Sequence, residues 1–288
     1  MAEISSADVV KLRKMSGQGM MDCKIALTEA KGDMDKAMEI LRKKGLATLA
    51  KRAERETTEG IVVCKKTPCG KAAILASLCS ETDFVARSDD FTAAAEKLAD
   101  YALACNADDG LDNLLNTSVS GKTYNTVLTE LVSKTGEKIQ LGDFAKFRLT
   151  GPGLIGTYVH FNKKVGSMLL IETSDDKTAE SGELRQIAAD IAMHITATKP
   201  LALDKTGIDA KTIETEKSIY AEQVKNKPAN IVGKIVVGKL QKFFAENCLL
   251  LQQFVKDDSK TVAAVLDEAA KRAGGKAKIT KFVRFSVG

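Results

Sequence analysis

The chain has 288 residues, a formal net charge of +5 and 44% hydrophobic residues, a composition that supports two or three globular units with real cores. It has no Trp and only 5% aromatic residues, which disfavours a protein that reads nucleic acid by base stacking. No apolar run reaches the length of about 18 residues that predicts a membrane span, and the first residues lack the basic and apolar regions of a secretion signal. We therefore expect a cytosolic protein with no membrane partner.

Residues that could carry chemistry are sparse. The two histidines, His160 and His194, have no ligand partner at metal spacing, and no phosphate-binding loop, dinucleotide fingerprint or nucleophile elbow occurs. The six cysteines form neither a CxxC pair nor an evenly spaced framework, so we expect reduced thiols that act as small apolar residues. The sequence predicts no metal site, no cofactor and no catalytic residue.

The first part of the chain is predicted to be helical. In residues 5–56 apolar side chains recur at spacings of three and four, which is typical of amphipathic helices. Gly32 is expected to end the second helix, Asp33 to cap a third, and Gly45 to end that third helix. Residues 46–58 are rich in Lys, Arg and Glu and are interpreted as a helical linker. We therefore assign residues 1–56 to a three-helix docking module with its linker.

Strand patterns begin after this module. Residues 60–67 and 71–79 are runs of β-branched or small apolar residues joined by a turn sequence, PCG, and they predict a β-hairpin. Two helices and a closing strand follow, at residues 89–105 with Asp89 or Asp90 as the N-cap, at 127–134, and at 139–149. These elements constitute a first α+β subdomain, residues 57–151.

The same order of patterns then repeats. A hairpin at 153–161 and 165–172, helices at 183–198 and 261–273, and a last strand at 278–287 predict a second, related subdomain, residues 152–288. The fold class is therefore α+β.

An inserted helical arm interrupts this second subdomain at about residues 205–246. Two helical patterns, 209–225 and 231–244, flank Asn226-Lys227-Pro228 and predict an antiparallel helical hairpin or coiled coil. We expect its helices to bury five residues against each other: Ile213, Tyr220, Val224, Ile231 and Ile235.

One further segment, residues 80–86, joins the first hairpin to the next helix. In its sequence, SETDFVA, an acidic residue precedes a large aromatic one in a loop, where side chains are often presented to partners. Taken alone, Phe84 is more often a core residue.

Several segments resemble the elongation factor Ts family, in that family's order along nearly the whole chain. They are residues 11–13 (KLR), 16–24 (SGQGMMDCK) with 26–27 (AL), 82–86 (TDFVA), 191–194 (IAMH) with 198–200 (TKP), 227–228 (KP) with 231–239 and 242–243 (KF), and 282–285 (FVRF). Ser16 stands where the family often has Thr. The sequence stops at Gly288, so we expect that the C-terminal helical module of some members is absent.

The resemblance implies a guanine nucleotide exchange factor, not an enzyme, that binds the GTPase elongation factor Tu and promotes GDP release. Its N-terminal module would resemble ubiquitin-associated domains and hold the GTPase through Arg13, Met20 and Met21, whereas His160 would be a further contact. Phe84 would enter between helices of the GTPase, and Asp83 would disturb the partner's Mg²⁺ ion. The residues that act on this ion would be Thr82, Asp83, Phe84 and Val85.

Three further hypotheses stay open at this point. The arm is a candidate surface for a homodimer, and the N-terminal module could belong to a ubiquitin-associated-like adaptor without exchange activity. A thiol-dependent enzyme built on Cys79 is disfavoured, because the nearby acids Glu81 and Asp83 would raise the pKa of the thiol.

Overall fold

The fold is α+β, as the order of patterns predicts, and the computed structural model describes residues 4–225 and 227–288. Three helices come first: α1 (Ser6–Ser16), α2 (Met20–Glu29) and α3 (Met34–Lys51). Asp33 caps α3 by accepting the N–H groups of Asp35 and Lys36, as expected for a short acidic side chain at this position. The three helices enclose a small apolar core of Val9, Leu12, Cys23, Ala26, Leu27, Ala30, Ala37 and Leu41.

The first sheet has the strand order β1 (Glu59–Lys66), β2 (Ala72–Ser80), β5 (Ile139–Arg148), and all its pairs are antiparallel. Gly70 closes the predicted hairpin with a φ of 69°, a left-handed conformation that glycine adopts without strain. The elements of this part are β1 (Glu59–Lys66), β2 (Ala72–Ser80), α4 (Asp83–Ala86), α5 (Asp89–Ala104), α6 (Leu111–Asn116), β3 (Ser118–Val119), β4 (Lys122–Thr123), α7 (Tyr124–Thr135) and β5 (Ile139–Arg148).

Two details of this part differ from the sequence prediction. The N-cap of α5 is Ser88, whose hydroxyl accepts the N–H of Phe91, and not Asp89 or Asp90, which lie in the first turn. The short elements α4, α6 and β3–β4 were not predicted, because segments of two to six residues are too short for hydrophobic periodicity to indicate them.

The second sheet has the strand order β10 (Ala277–Ser286), β7 (Val165–Thr173), β6 (Gly153–Val159) and is also antiparallel. Its elements in chain order are β6 (Gly153–Val159), β7 (Val165–Thr173), α8 (Asp176–Glu180), α9 (Gly182–Thr198), the arm helices α10 (Ala210–Gln223) and α11 (Ala229–Asn247), the short hairpin β8 (Gln253–Phe254) and β9 (Asp257–Thr261), α12 (Val262–Arg272) and β10 (Ala277–Ser286). Single 3₁₀ turns at Lys205–Gly207 and Leu249–Leu251 flank the arm.

The two sheets pack against each other and share a core. Alternate residues of the central strands point to opposite faces, so that Leu75 of β2 and Met168 of β7 meet in a cluster between the sheets. The neighbouring residues Ile74 and Leu169 point outward, toward helices that cover the other face of each sheet. The chain therefore forms four layers: helices, two sheets, and helices.

The third helix does not end at Gly45, so this prediction was wrong. It continues to Lys51 because it packs closely on α7: a Cβ atom at residue 45 would lie 2.5 Å from the Thr129 carbonyl oxygen. The hydroxyl of Ser133 also donates to the Leu41 carbonyl at 3.0 Å. Gly45 thus permits a close approach of two helices, although glycine by itself weakens a helix.

The predicted linker is helical only up to Lys51. The rest of it is held to the body of the protein, because the Lys138 ammonium group donates to the carbonyl oxygens of Ala53 at 2.6 Å and Arg55 at 2.8 Å. The N-terminal helices therefore have a defined position on α7.

The arm helices pack as an antiparallel pair. Lys239 of α11 donates to Gln223 at 2.6 Å, whereas nearer the base Ile213 joins Phe243 and Phe244 in one cluster. Val224 is buried, and Ile213, Tyr220 and Ile235 are partly buried. Ile231 is 37% exposed, so its predicted burial was wrong, because the pair covers only one face of each helix. The predicted turn residue Asn226 lies outside the described residues.

The close packing at Gly45 can be tested by a substitution with a matched control. Gly45→Ala should lower the free energy of unfolding by about 1–3 kcal/mol, because the added methyl group meets a backbone carbonyl. Gly238→Ala, in α11, should instead raise it by up to about 1 kcal/mol, since a Cβ there meets nothing within 4 Å. Urea unfolding followed by circular dichroism measures both. Equal effects of the two substitutions would contradict the close contact between α3 and α7.

Candidate functional site

The loop after β2 is a short, doubly capped connection. Thr82 is the N-cap of α4, and its hydroxyl oxygen accepts the Val85 N–H at 3.4 Å. Ser88 then caps α5 only six residues later. The hydroxyl of Ser80 donates to the Thr82 carbonyl at 3.0 Å. Because most polar groups of this turn have local partners, the backbone around α4 is well defined.

Phe84 projects from this turn into solvent. Its side chain is 84% exposed, whereas Ala86 of the same helical turn is 6% exposed and Val85 packs on the core. A fully buried Phe would stabilise the fold by about 1.5–3 kcal/mol. Because Phe84 is exposed, it contributes almost none of this stabilisation. The interpretation of Phe84 as a core residue is therefore wrong, and the loop presents an aromatic ring to its surroundings.

Asp83 accompanies Phe84 at the first position of α4. Its carboxylate lies 3.2 Å from the Arg87 guanidinium group, one turn later, and its side chain is 41% exposed. Pairs of this kind are worth only about 0.3–0.5 kcal/mol. The carboxylate can therefore exchange this partner for a stronger cationic group at little cost.

Two acidic residues, Glu137 and Glu81, hold the loop to the body of the protein by hydrogen bonds. The Glu137 carboxylate accepts the Thr82 N–H at 3.1 Å and the Thr82 hydroxyl at 2.7 Å. Glu81 accepts the Lys138 N–H at 2.6 Å and both its oxygens accept from the Arg52 guanidinium group, at 2.8 and 2.9 Å. We call these two carboxylates, with Arg52 and Lys138, the loop brace. Sequence reasoning missed it because its members lie far apart in the chain.

The charge of Glu81 is stabilised in this environment. Burial by itself would raise the pKa of Glu81, but the Lys138 N–H and the Arg52 guanidinium group lower it below the ordinary value of 4.5. A carboxyl group with a lowered folded-state pKa contributes stability above its unfolded pKa and loses it as the pH falls through the folded value. The contribution of Glu81 is thus intact at neutral pH and decreases progressively as the pH falls below 4.5, the ordinary value, and through the lower folded-state pKa.

The candidate residues of the N-terminal module are also exposed. Met20 is 39% and Met21 66% exposed, and Arg13 is exposed on α1. Ile25 lies one turn after Met21 and is 50% exposed, so it extends the same face of α2. The sequence prediction did not single out Ile25, because an apolar residue at helical spacing gives no signal that separates a core position from an exposed one.

His160 lies in the turn between β6 and β7 and is partly buried. Its Nδ1 atom is buried and has no hydrogen-bond partner among the described residues. The ring of Phe161 packs on it with a centroid distance of 4.2 Å, and Phe161 itself is 88% exposed. The sequence analysis assigned Phe161 to the end of a predicted strand, residues 153–161, but this strand ends at Val159, so its alternating pattern did not indicate an exposed turn residue.

Other candidate chemistry finds little support. Cys79 is 7% exposed, and burial, with the Asp143 carboxylate, raises the pKa of its thiol to about 11; the acid responsible is Asp143 and not Glu81 or Asp83. Across residues 4–225 and 227–288, no three His, Cys, Asp or Glu side chains gather in a way that suits a metal ion. Among these residues, none of the helices has the length and apolar character needed to cross a membrane.

Comparison with known proteins identifies the family. A sequence model described as Elongation factor TS matches residues 81–288. The chain belongs to the elongation factor Ts family. Elongation factor Ts of a Nitratiruptor species is 44% identical over 287 residues, covering 99% of this chain and 93% of that protein. Elongation factor Ts of Prosthecochloris aestuarii is 40% identical over 293 residues and covers 100% of both chains.

Membership of the elongation factor Ts family confirms the resemblance that the motifs indicated and makes the chain a translation elongation factor. The match of the family model begins at Glu81, so it includes Phe84, the whole of α4 and His160. Arg13, Met20 and Met21 precede it but lie within the part that the elongation factor Ts relatives cover.

The loop brace can be tested by local dynamics. Glu137→Ala removes two hydrogen bonds to a charged acceptor and should lower the free energy of unfolding by about 1–2 kcal/mol. Hydrogen–deuterium exchange measured by mass spectrometry should speed up in the peptide that contains α4. Glu96→Ala, at an exposed position of α5, is the control and should leave that peptide unchanged. Unaltered exchange in Glu137→Ala would show that Glu137 does not hold the loop.

Proposed function

We propose that the chain is the guanine nucleotide exchange factor of elongation factor Tu, which binds the GDP-bound GTPase, displaces its Mg²⁺ ion and promotes GDP release so that GTP can bind. The observation that carries the proposal is the presentation of Phe84. An 84% exposed aromatic ring stands on a capped and braced turn inside the segment that the family model matches. A rigid, exposed aromatic side chain is suited to insertion into a partner, because little conformational entropy is lost on binding.

The candidate residues of the loop act in three ways in this proposal. Phe84 enters between helices of the GTPase, and Asp83 leaves its weak pair with Arg87 and disturbs the surroundings of the Mg²⁺ ion. Thr82 and Val85 hold the turn through their capping hydrogen bond. The ion and the nucleotide belong to the partner, so the exchange factor supplies no cofactor and catalyses no covalent step.

The energy that exchange requires is larger than one side chain can supply. A release rate raised about 10⁴-fold needs the barrier lowered by about 5.5 kcal/mol, whereas burial of one Phe contributes about 1.5–3 kcal/mol. The remaining energy must come from tighter binding of the nucleotide-free GTPase elsewhere on the surface. Linkage makes the effect mutual, so that the factor and GDP weaken each other's binding.

The rest of the chain provides this additional binding in the proposal. Residues 1–56 act as a ubiquitin-associated-like docking module through Arg13, Met20 and Met21. The first subdomain, 57–151, carries the loop of residues 80–86 with Phe84, which we call the working loop. The second subdomain, 152–288, grips another domain of the GTPase, and the arm at about 205–246 projects from it. We place this activity in the cytoplasm. An adaptor without exchange activity is the alternative, and it would leave Phe84 without a role.

The central test separates the role of Phe84 in exchange from its role in folding. Phe84→Ala should slow the stimulated release of a fluorescent GDP from elongation factor Tu by about 10- to 100-fold. It should change the free energy of unfolding by less than about 0.5 kcal/mol, as expected for an exposed position. Stopped-flow fluorescence and urea unfolding measure the two quantities. Leu201→Ala, which alters another exposed apolar side chain, of 63% exposure, is the control.

Asp83→Ala tests the step that involves the metal ion. It should slow exchange in the presence of Mg²⁺, and this effect should shrink when Mg²⁺ is chelated, because the ion is then already gone. The effect of Phe84→Ala should persist under chelation. If the wild-type chain does not accelerate GDP release, the proposed function is wrong. If Phe84→Ala exchanges at the wild-type rate, or is strongly destabilised, only the role of the loop is wrong.

A substitution in the docking module should change the half-saturation of exchange and not its maximal rate. Met21→Ala should raise the concentration of factor that gives half-maximal exchange by several-fold, because an apolar contact is lost, while the maximal rate stays the same. A titration of factor against elongation factor Tu measures both parameters. A fall in the maximal rate with unchanged half-saturation would instead place Met21 with the working loop.

A further inference from the structure

The turn between β6 and β7 carries an aromatic side chain that the proposed mechanism does not use. Phe161 is 88% exposed, the highest value of any large apolar side chain in the described residues and slightly above that of Phe84. Turn positions usually take Gly, Asn, Asp or Ser, whose backbone preferences or hydrogen bonds favour the turn. A Phe offers no such local advantage, so the local structure does not explain why it is here.

The turn is rigid. The His160 N–H donates to the Val165 carbonyl at 2.9 Å, and the Lys163 N–H donates to the His160 carbonyl at 2.8 Å. Lys163 has a φ of 56°, a left-handed conformation that costs a non-glycine residue about 1 kcal/mol and that these hydrogen bonds maintain. Phe161 also packs on the His160 ring. The backbone that presents the exposed ring is therefore held in place before any partner binds.

The turn contacts the start of β1, and the segment that leads into the working loop pairs with the same residues. The Val62 N–H of β1 donates to the Lys163 carbonyl at 2.7 Å, and the Lys164 ammonium group lies 2.7 Å from the Glu59 carboxylate. Glu59 is paired with Ser80 in the sheet register, and Ser80 directly precedes the braced loop. Both exposed aromatic residues thus stand on segments fixed to the first four residues of β1.

We propose that Phe161 is a second aromatic contact, which enters an apolar depression on the same GTPase domain that Phe84 contacts. This inference rests on the proposed function. The exposed Lys163 stands two residues after Phe161, so a complementary depression on the GTPase would have acidic residues at its rim. Two aromatic contacts, both on segments fixed to the start of β1, would set the orientation of the loop on the GTPase. A single ring cannot do this, because the factor could rotate about it.

Phe161 therefore acts through binding and orientation, and its loss differs from the loss of Phe84. Phe161→Ala should raise the concentration of factor needed for half-maximal exchange by about 10- to 100-fold, the effect of one unburied Phe on affinity. The free energy of unfolding should stay the same, because the side chain is exposed. Phe161→Tyr keeps the ring and should restore most of the affinity.

A second variant tests the charge. Lys163→Glu should slow association with elongation factor Tu, and the difference from wild type should fall as the salt concentration rises. Leu201→Ala should change neither quantity. Association and half-saturation are measured with wild-type and variant factor on the same preparation of fluorescent GDP-loaded GTPase.

The outcomes separate this inference from the function on which it rests. A wild-type chain that fails to accelerate GDP release overturns both. Normal wild-type exchange, together with a half-saturation of Phe161→Ala equal to wild type, overturns only the second contact. Raised half-saturation in Phe161→Ala, restored in Phe161→Tyr, supports it.

Discussion

The close contact between α3 and α7 is the constraint on which the arrangement of the exposed residues depends. Gly45 lets the two helices approach until a Cβ atom would meet the Thr129 carbonyl. The same α7 ends at Thr135 and is followed by its C-cap, Gly136, in a left-handed conformation with a φ of 72°. The next two residues, Glu137 and Lys138, belong to the loop brace. One helix therefore positions both the N-terminal module and the turn that carries Phe84.

The sandwich of two sheets provides the corresponding constraint for the second half of the chain. The cluster between the sheets includes Val62 of β1 and Met168 of β7, and it brings the β6–β7 turn onto the edge of β1. The hydrogen bond from Val62 to Lys163 completes that contact. Two segments that lie about 80 residues apart in the sequence are in this way fixed to one strand end, because packed interiors resist displacement.

The sequence predicted the fold class and most elements because their signals are local. The hairpin at Gly70, the helix after residue 88 and the repeat of hairpin and helices all follow from periodicity and turn residues. The predictions for Gly45 and Ile231 were wrong because packing against another helix decides the outcome. Gly45 has the pattern of a helix end in isolation, yet α7 makes it a packing position, and Ile231 has a helical spacing that cannot tell a covered face from an exposed one.

The chain by itself determined the family, through motifs in a fixed order, and it indicated the residues of the loop. Tertiary structure alone decided that Phe84 is exposed, that Glu81 and Glu137 support the turn, and that Phe161 stands on the same strand end. The physical reason is that exposure and ion pairing depend on which surfaces meet, as with Arg52 and Glu81, 29 residues apart. Such contacts leave no periodic trace in the sequence, whereas helices, strands and turns do.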